Sequence, residues 1–406
     1  MPPHEAQRPF IALGAMPMRV LLQAYSAAVR RGASSVGTLD LLCRVALYAK
    51  SVPPWLLAGS NGANLMRMVA DPRRIPAGRT VSELLSESVS EFDQEVQAIL
   101  REVEWRINRR PDRRRRKPDV QDTRPRPSWT NGVRTALAGA LHAARDNRVP
   151  FANLSHLVLG MLQLRGCDGT HYVFPSEYAR LSAIDRLGAE PTMCRTDEPY
   201  PDLDDERLAL WPGSGSLLDR LAGRFFARAS RLSRLGPILV GVEFEAKRQA
   251  IRLDHDVIGP LHILLAVLTH DASLEAARVR VPAHHSSRNR GSAVLRIHGV
   301  DADRLRLLAA RRGGPEEPPA EVLTKQLSSQ RPGDPFTGTD VVTAMARAME
   351  ISLAYRHPDT GTSHLLLALI EDDAGDGSAI LRDLSVDPTA LRARVEQDLR
   401  AAPAAW

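Results

Sequence analysis

The sequence predicts an all-α fold of tandem four-helix repeats, paired into two double-repeat helical domains, and three observations carry that expectation. Three stretches open a short apolar helix in the same way: Leu154-Ser155-His156-Leu157, Leu261-His262-Ile263-Leu264 and Thr362-Ser363-His364-Leu365. A weaker copy begins at Gly37-Thr38-Leu39-Asp40, so the starts lie roughly 115, 106 and 102 residues apart. Such periodicity marks repeated supersecondary units. The second observation is composition: 43% hydrophobic residues but only 5% aromatic, aliphatic and alanine-rich, with no sustained alternation of apolar and polar positions, which favours helices over half-buried strands. The third is a set of helix start and stop signals that recur within each unit.

The first unit, 1–105, is the most diverged. It carries a helix from Val20 to Arg31, a stop at Gly32, and a second helix from Leu41 to Tyr48. From Arg106 to Lys117 eight basic residues face one acid, Asp112, a local charge of +7 that leaves the rest of the 406-residue chain at −1 within its total of +6. The basicity is one run, and with Pro118, Pro125 and Pro127 after it the stretch 106–128 reads as a solvated linker. Salt-sensitive contact with nucleic acid is the alternative use of such a run, but no stacking aromatics or DNA-reading motif accompany it.

The second unit, 129–211, opens at Trp129-Thr130, continues with a helix from about Val133 to Ala144, and enters its buried helix at Ser155. Its carboxyl half is broken by Pro175, Pro191, Pro199 and Pro201. A linker spans 212–235, where Gly213-Ser214-Gly215-Ser216 lacks the spacing of a nucleophile elbow and reads as a joint. The third unit, 236–312, has a helix from Ala246 to Leu253, the loop Asp254 to Pro260, and a buried helix from Leu261 to Leu268. An insertion at 271–290, ending in His284-His285-Ser286-Ser287-Arg288-Asn289-Arg290, reads as an exposed loop.

After a linker at 313–334 comes the clearest unit, 335–400. Val341, Met345, Ala348, Met349, Ser352 and Leu353 are expected near one face of its first helix. Pro358 ends that segment, Thr362 is expected to cap the apolar helix His364 to Ile370, and Asp387 to cap the last helix with Pro388 in its first turn. One such unit is near the lower limit for an independent core, so pairing with another copy is expected.

Candidate chemistry is sparse. Cys43, Cys167 and Cys194 have no metal-ligand spacing and read as reduced thiols. His156, His262 and His364 supply one imidazole per unit, which is a packing or capping pattern; a metal site needs several converging ligands. Asp372, Asp376 and Gly377 lie in a loop where Ala374 cannot coordinate calcium. No catalytic residue, metal or cofactor is predicted. No stretch approaches the length of a membrane span and no charged-then-apolar leader opens the sequence, so a cytoplasmic protein is expected.

These motifs resemble the amino-terminal repeat domain of Clp-type AAA+ unfoldases, whose unit opens with Phe-Thr, then a helix, Gly-His, Ile-Gly-Thr-Glu-His and an aliphatic run, and closes with Gly-Val and a last helix. Phe336-Thr337, His255 followed by Ile258-Gly259, Gly361-Thr362-Ser363-His364-Leu365-Leu366-Leu367, and Trp129-Thr130 ahead of His156 carry the resemblance, over about two thirds of the chain. The four lysines, Lys50, Lys117, Lys247 and Lys325, follow no phosphate-loop pattern, so the resemblance implies recognition repeats without the ATP motor. It implies a non-catalytic protein that binds a protein or peptide, with Clp unfoldase or protease components or their substrates as partners, acting as adaptor or ligand-sequestering decoy. Where the family pairs phosphoarginine with the glutamate of Gly-Thr-Glu-His, this chain has Leu39, Ser155, Leu261 and Ser363. The ligand-binding candidates carried over are Trp129, Thr130, Ser155, Phe336, Thr337 and Ser363. Two readings compete: a hydrolase assembled from the irregular region 165–235 and the insertion, with His284 and His285, and nucleic-acid tethering through the arginine run.

Overall fold

A computed structural model describes residues 11–48, 52–57, 92–109, 126–165, 170, 173–174, 176–195, 234–315 and 333–403. They divide between two compact units, within Arg8–Pro199 and Tyr200–Trp406. The joint at 213–216, Cys167 and most of the three linkers lie outside the described residues.

In the first unit, strand β1 (Ala12–Leu13) precedes α1 (Ala15–Arg31), and β2 (Ser35–Val36) precedes α2 (Thr38–Leu47). After α3 (Asp93–Asn108) the pattern recurs: β3 (Ser128–Trp129), α4 (Asn131–Asp146), β4 (Phe151–Ala152) and α5 (Leu154–Gln163), followed by α6 (Glu177–Gly188) and a 3₁₀ turn at Pro191–Cys194. The helix expected from Val20 starts five residues earlier, because Pro17 falls in the first turn, where no amide donor is needed.

The two-residue strands are the element that helical periodicity could not show. They pair in parallel across repeats: Leu13 opposite Ala152 and Val36 opposite Trp129. The second unit does the same with Ile258 opposite Thr337, between β5 (Val257–Ile258) and β6 (Phe336–Thr337), and with a single bridge from Leu235 to Thr360. Twenty-three residues separate Leu13 from Val36, Trp129 from Ala152, Leu235 from Ile258 and Thr337 from Thr360. Each double repeat is thus built on a local two-fold relation, in which the strand before one repeat's first helix meets the strand before the other's buried helix.

The second unit comprises α7 (Pro237–Leu253), α8 (Pro260–Ala276), α9 (Gly291–Ile297), α10 (Ala302–Arg312), α11 (Thr339–Ala354), α12 (Thr362–Ile370), α13 (Asp376–Asp383) and α14 (Pro388–Ala401). One apolar core fills each unit. Helices α4 and α5 approach so closely that a Cβ on Gly160 would lie 2.1 Å from the Ala136 carbonyl oxygen. In the second core α8 and α12 are buried on nearly all sides, as their unbroken aliphatic runs require. Cys43 is sealed in the first core, and burial pushes its thiol up to about 12.

The structure departs from the sequence reading at three places. The basic run begins as helix: α3 runs through Asn108 because Glu102, one turn earlier, accepts a hydrogen bond from Arg106 at 2.5 Å, and Arg109 sits 4.8 Å over the Trp105 ring. Thr362 is the first helical residue of α12 and Gly361 is its cap. Thr337 ends β6, leaving Gly338 to cap α11, whereas Thr130 does cap α4, its Oγ1 accepting from the Val133 amide at 3.4 Å. The insertion 271–290 is exposed only in part. Helix α8 continues to Ala276, and Arg288 is one of the largest fully enclosed side chains, 2% exposed.

Candidate functional site: the buried-helix starts

Each repeat's buried helix begins at the strand pairing, and its first turn is closed by the residue three positions after the cap. His156, His262 and His364 turn Nδ1 back to accept from the amides of Asn153 (3.1 Å), Gly259 (3.0 Å) and Gly361 (2.9 Å). This is a capping box with imidazole in place of the usual glutamate. An Nδ1 that accepts leaves the proton on Nε2, which in the second unit donates onward: His262 to His255 Nδ1 at 2.9 Å, and His364 to His357 Nδ1 at 2.7 Å. In the first repeat Asp40 does the same work. Its Oδ2 accepts from the Gly37 amide at 3.0 Å and its Oδ1 from Arg31 at 2.6 Å.

The imidazoles are therefore neutral. Burial pushes His262 and His364 down to about 3, aided by the charge of the neighbouring His255 and His357, and pushes His156 down to about 4. Their role is structural, satisfying helix-start amides that would otherwise be orphaned.

The six candidate residues do not form one constellation. Because pairing is reciprocal, Trp129-Thr130 meets the start of α2, and Phe336-Thr337 meets the start of α8, whereas Ser155 and Ser363 lie at the starts of α5 and α12. Trp129 is buried, donates Nε1 to Glu104 Oε1 at 2.8 Å and lies 5.2 Å from the Tyr25 ring. Ser155 donates to Thr192 Oγ1 at 2.9 Å, in the 3₁₀ turn whose Thr192 carbonyl also accepts from the Asn153 side chain at 2.7 Å. Ser363, 1% exposed, accepts from the Arg290 amide at 3.0 Å. Phe336 and Thr337 are half-buried.

The start of α8 opens on a cleft of about 630 Å³. Gly259, Pro260 and Leu261 form one wall, Gly313, Gly314 and Pro315 another, and Gly338, Thr339 and Asp340 at the head of α11 a third. Arg312 reaches the cleft but is held by Asp376 at 2.8 Å and Asp383 at 2.9 Å, so its charge is offset. With Asp340 exposed at the rim and His255 and His262 also in the lining, the cleft is of mixed polarity. Neither the cleft nor the reciprocal strand contact had a signal in the sequence beyond the Phe-Thr and Ile-Gly pairs themselves. The His284 and His285 ring centres lie 4.2 Å apart with the planes tilted by 43°, and His285 Nδ1 lies 3.2 Å from Asp359 Oδ2. Among the described residues no group of three or more His, Cys, Asp or Glu side chains could hold a metal ion.

The last repeat thus combines a Phe-Thr strand, a helix, a Gly-Thr start with its capping histidine, an aliphatic buried helix and two closing helices. Residues 338–405 match the Clp repeat (R) N-terminal domain family. The Clp repeat is a helical, non-catalytic binding domain, the part of Clp unfoldases that receives substrates and adaptors. The match begins at Gly338, at the head of α11, and so covers the helical body of the fourth repeat. No helix among the described residues is long and apolar enough to cross a membrane.

Proposed function

We propose that this chain is a non-catalytic, cytoplasmic recognition protein built from two double Clp-type repeats, holding a protein or peptide ligand at its helix-start clefts. It serves as an adaptor to a Clp unfoldase or as a decoy that sequesters ligands otherwise bound by one. The observation that carries this reading is the cleft at the start of α8, framed by α11 of the repeat that matches a Clp binding domain. In it Phe336 and Thr337, paired through β6 with Val257 and Ile258, set the position of Gly338 and Thr339 in the cleft wall, and Trp129 and Thr130 take the equivalent place ahead of α4. Ser155 and Ser363 contribute through stability, since their hydroxyls are already engaged. The missing glutamates and the offset charge of Arg312 favour a ligand recognised by shape and apolar contact over one recognised as a phosphorylated guanidinium.

The test is binding of known peptide and protein ligands of Clp unfoldase amino-terminal domains to the full chain, beside a variant with Thr339→Arg at the exposed rim. We expect binding by the parent chain and a loss of tenfold or more in the variant. Failure of every such ligand to bind, together with no effect of the chain on Clp-dependent degradation, would refute the proposal.

A further inference from the structure

The local two-fold relation of the second unit makes the starts of α8 and α12 equivalent positions, but they are not equally open. Where Gly259-Pro260-Leu261 faces a cleft, Gly361-Thr362-Ser363 faces residues 288–291, supplied by the insertion of the third repeat. The occupant meets the helix start atom by atom. Asn289 Oδ1 accepts from the Thr362 amide at 2.8 Å, and the Arg288 carbonyl accepts from the Ser363 amide at 3.1 Å. In return Ser363 Oγ accepts from the Arg290 amide at 3.0 Å and Thr362 Oγ1 from the Gly291 amide at 3.2 Å. The Arg288 guanidinium reaches Asp359 Oδ1 at 2.8 Å. The fit depends on the absence of a side chain at Gly361, whose Cβ would lie 2.4 Å from the Arg288 carbonyl oxygen.

Oxygen atoms offered to free helix-start amides, and a cation offered to an acid, are what a bound peptide presents to such a groove. Beyond these contacts the segment is held by polar groups alone, His285 Nδ1 at 3.2 Å from Asp359 Oδ2 and Arg290 at 3.3 Å from Asp398 Oδ1. Residues 283–290 contain no apolar side chain larger than alanine, and their helical turn buries none of its residues. Arg288 Nη2 is enclosed without a hydrogen-bond partner, so the occupant satisfies the groove better than the groove satisfies it. Where α8 gives way to the segment, Arg278 stands in the left-handed region at φ 52°.

We infer that residues 283–290 are an internal ligand, a latch that closes a second recognition groove in the fourth repeat. It is displaced by a peptide of matching chemistry: an arginine flanked by carbonyl or carboxamide oxygens that competes for the α12 start and Asp359. This rests on the recognition reading above and adds to it a site closed in cis, so that the double repeat offers one open groove and one regulated groove.

Two measurements on the full chain test it. By amide hydrogen exchange, Thr362 and Ser363 are expected to exchange through local opening at least tenfold faster than Leu366 and Leu367, and Arg288→Ala to accelerate the first pair alone. A labelled synthetic peptide of residues 281–292, added in trans, is expected to bind the Arg288→Ala chain at least tenfold more tightly than the parent, and to lose that binding when Asp359→Ala is added. Exchange of Thr362 and Ser363 only with global unfolding would overturn the latch, as would equal peptide affinity, or none, for all three chains. Failure here leaves binding at the α8 cleft untouched, and failure of ligand binding at that cleft leaves exchange at Thr362 unchanged, so the two proposals fall separately.

Discussion

Acidification should unfold the second unit through its capping histidines. His262 and His364 are held near 3 in the fold against an ordinary value of 6.5, so the folded state binds fewer protons than the unfolded one below 6.5. The stability these residues confer is complete above 6.5 and is lost as pH falls from there toward 3. At about 1.36 kcal/mol per unit of separation, moving from pH 7 to pH 5 costs about 2 kcal/mol for each imidazole and about 4 kcal/mol for the pair. With a urea slope of about 2 kcal/mol/M, the unfolding midpoint of this unit should fall by about 2 M, read by circular dichroism across that pH range. The paired substitution H262Q/H364Q keeps an acceptor for the cap amide and removes these two titrations, leaving the smaller contributions of His357 and His284, which burial also lowers, so its midpoint should fall by much less over the same range. A midpoint equally sensitive to pH in the parent and the glutamine variant would refute the reasoning.

Other outcomes follow from the same geometry. Arg148 and Arg356 stand at φ 55° and 56° just after a first helix, where the first repeat has Gly32; replacing either by glycine relieves about 1 kcal/mol of backbone strain and should raise the melting temperature by about 2–4 °C in a scan of the full chain. Gly160→Ala should cost about 3 kcal/mol in denaturant unfolding, since the new Cβ meets the Ala136 carbonyl. Ser155→Ala should cost about 1 kcal/mol through the lost bond to Thr192, and leave ligand binding at the α8 cleft unchanged in a titration.

The helices were legible because their signals are local. The three histidine-led aliphatic runs, Pro388 after Asp387, and the breaks at Gly32 and Pro358 each report on a few neighbouring residues. The strand pairings were not, because two residues carry no alternation and their partners lie more than seventy residues away. For the same reason the partner of Phe336-Thr337 was not legible: the fold pairs it with Val257-Ile258 of the preceding repeat. The insertion looked like a solvated loop because its residues are polar. Its destination is polar as well, a helix start with unfilled amides and one carboxylate, and composition cannot separate that from water.

Because β5 is completed by β6, and Leu235 by Thr360, neither repeat of a pair owns a finished edge. The covalent link through 316–332 makes the association of the two repeats an intramolecular event. Cut there, the double repeat becomes a two-component complex whose melting temperature depends on protein concentration. The same contacts made by two identical repeats would form a symmetric dimer, so each unit of this chain is, in physical terms, a dimer whose partners share one backbone and have been free to differ.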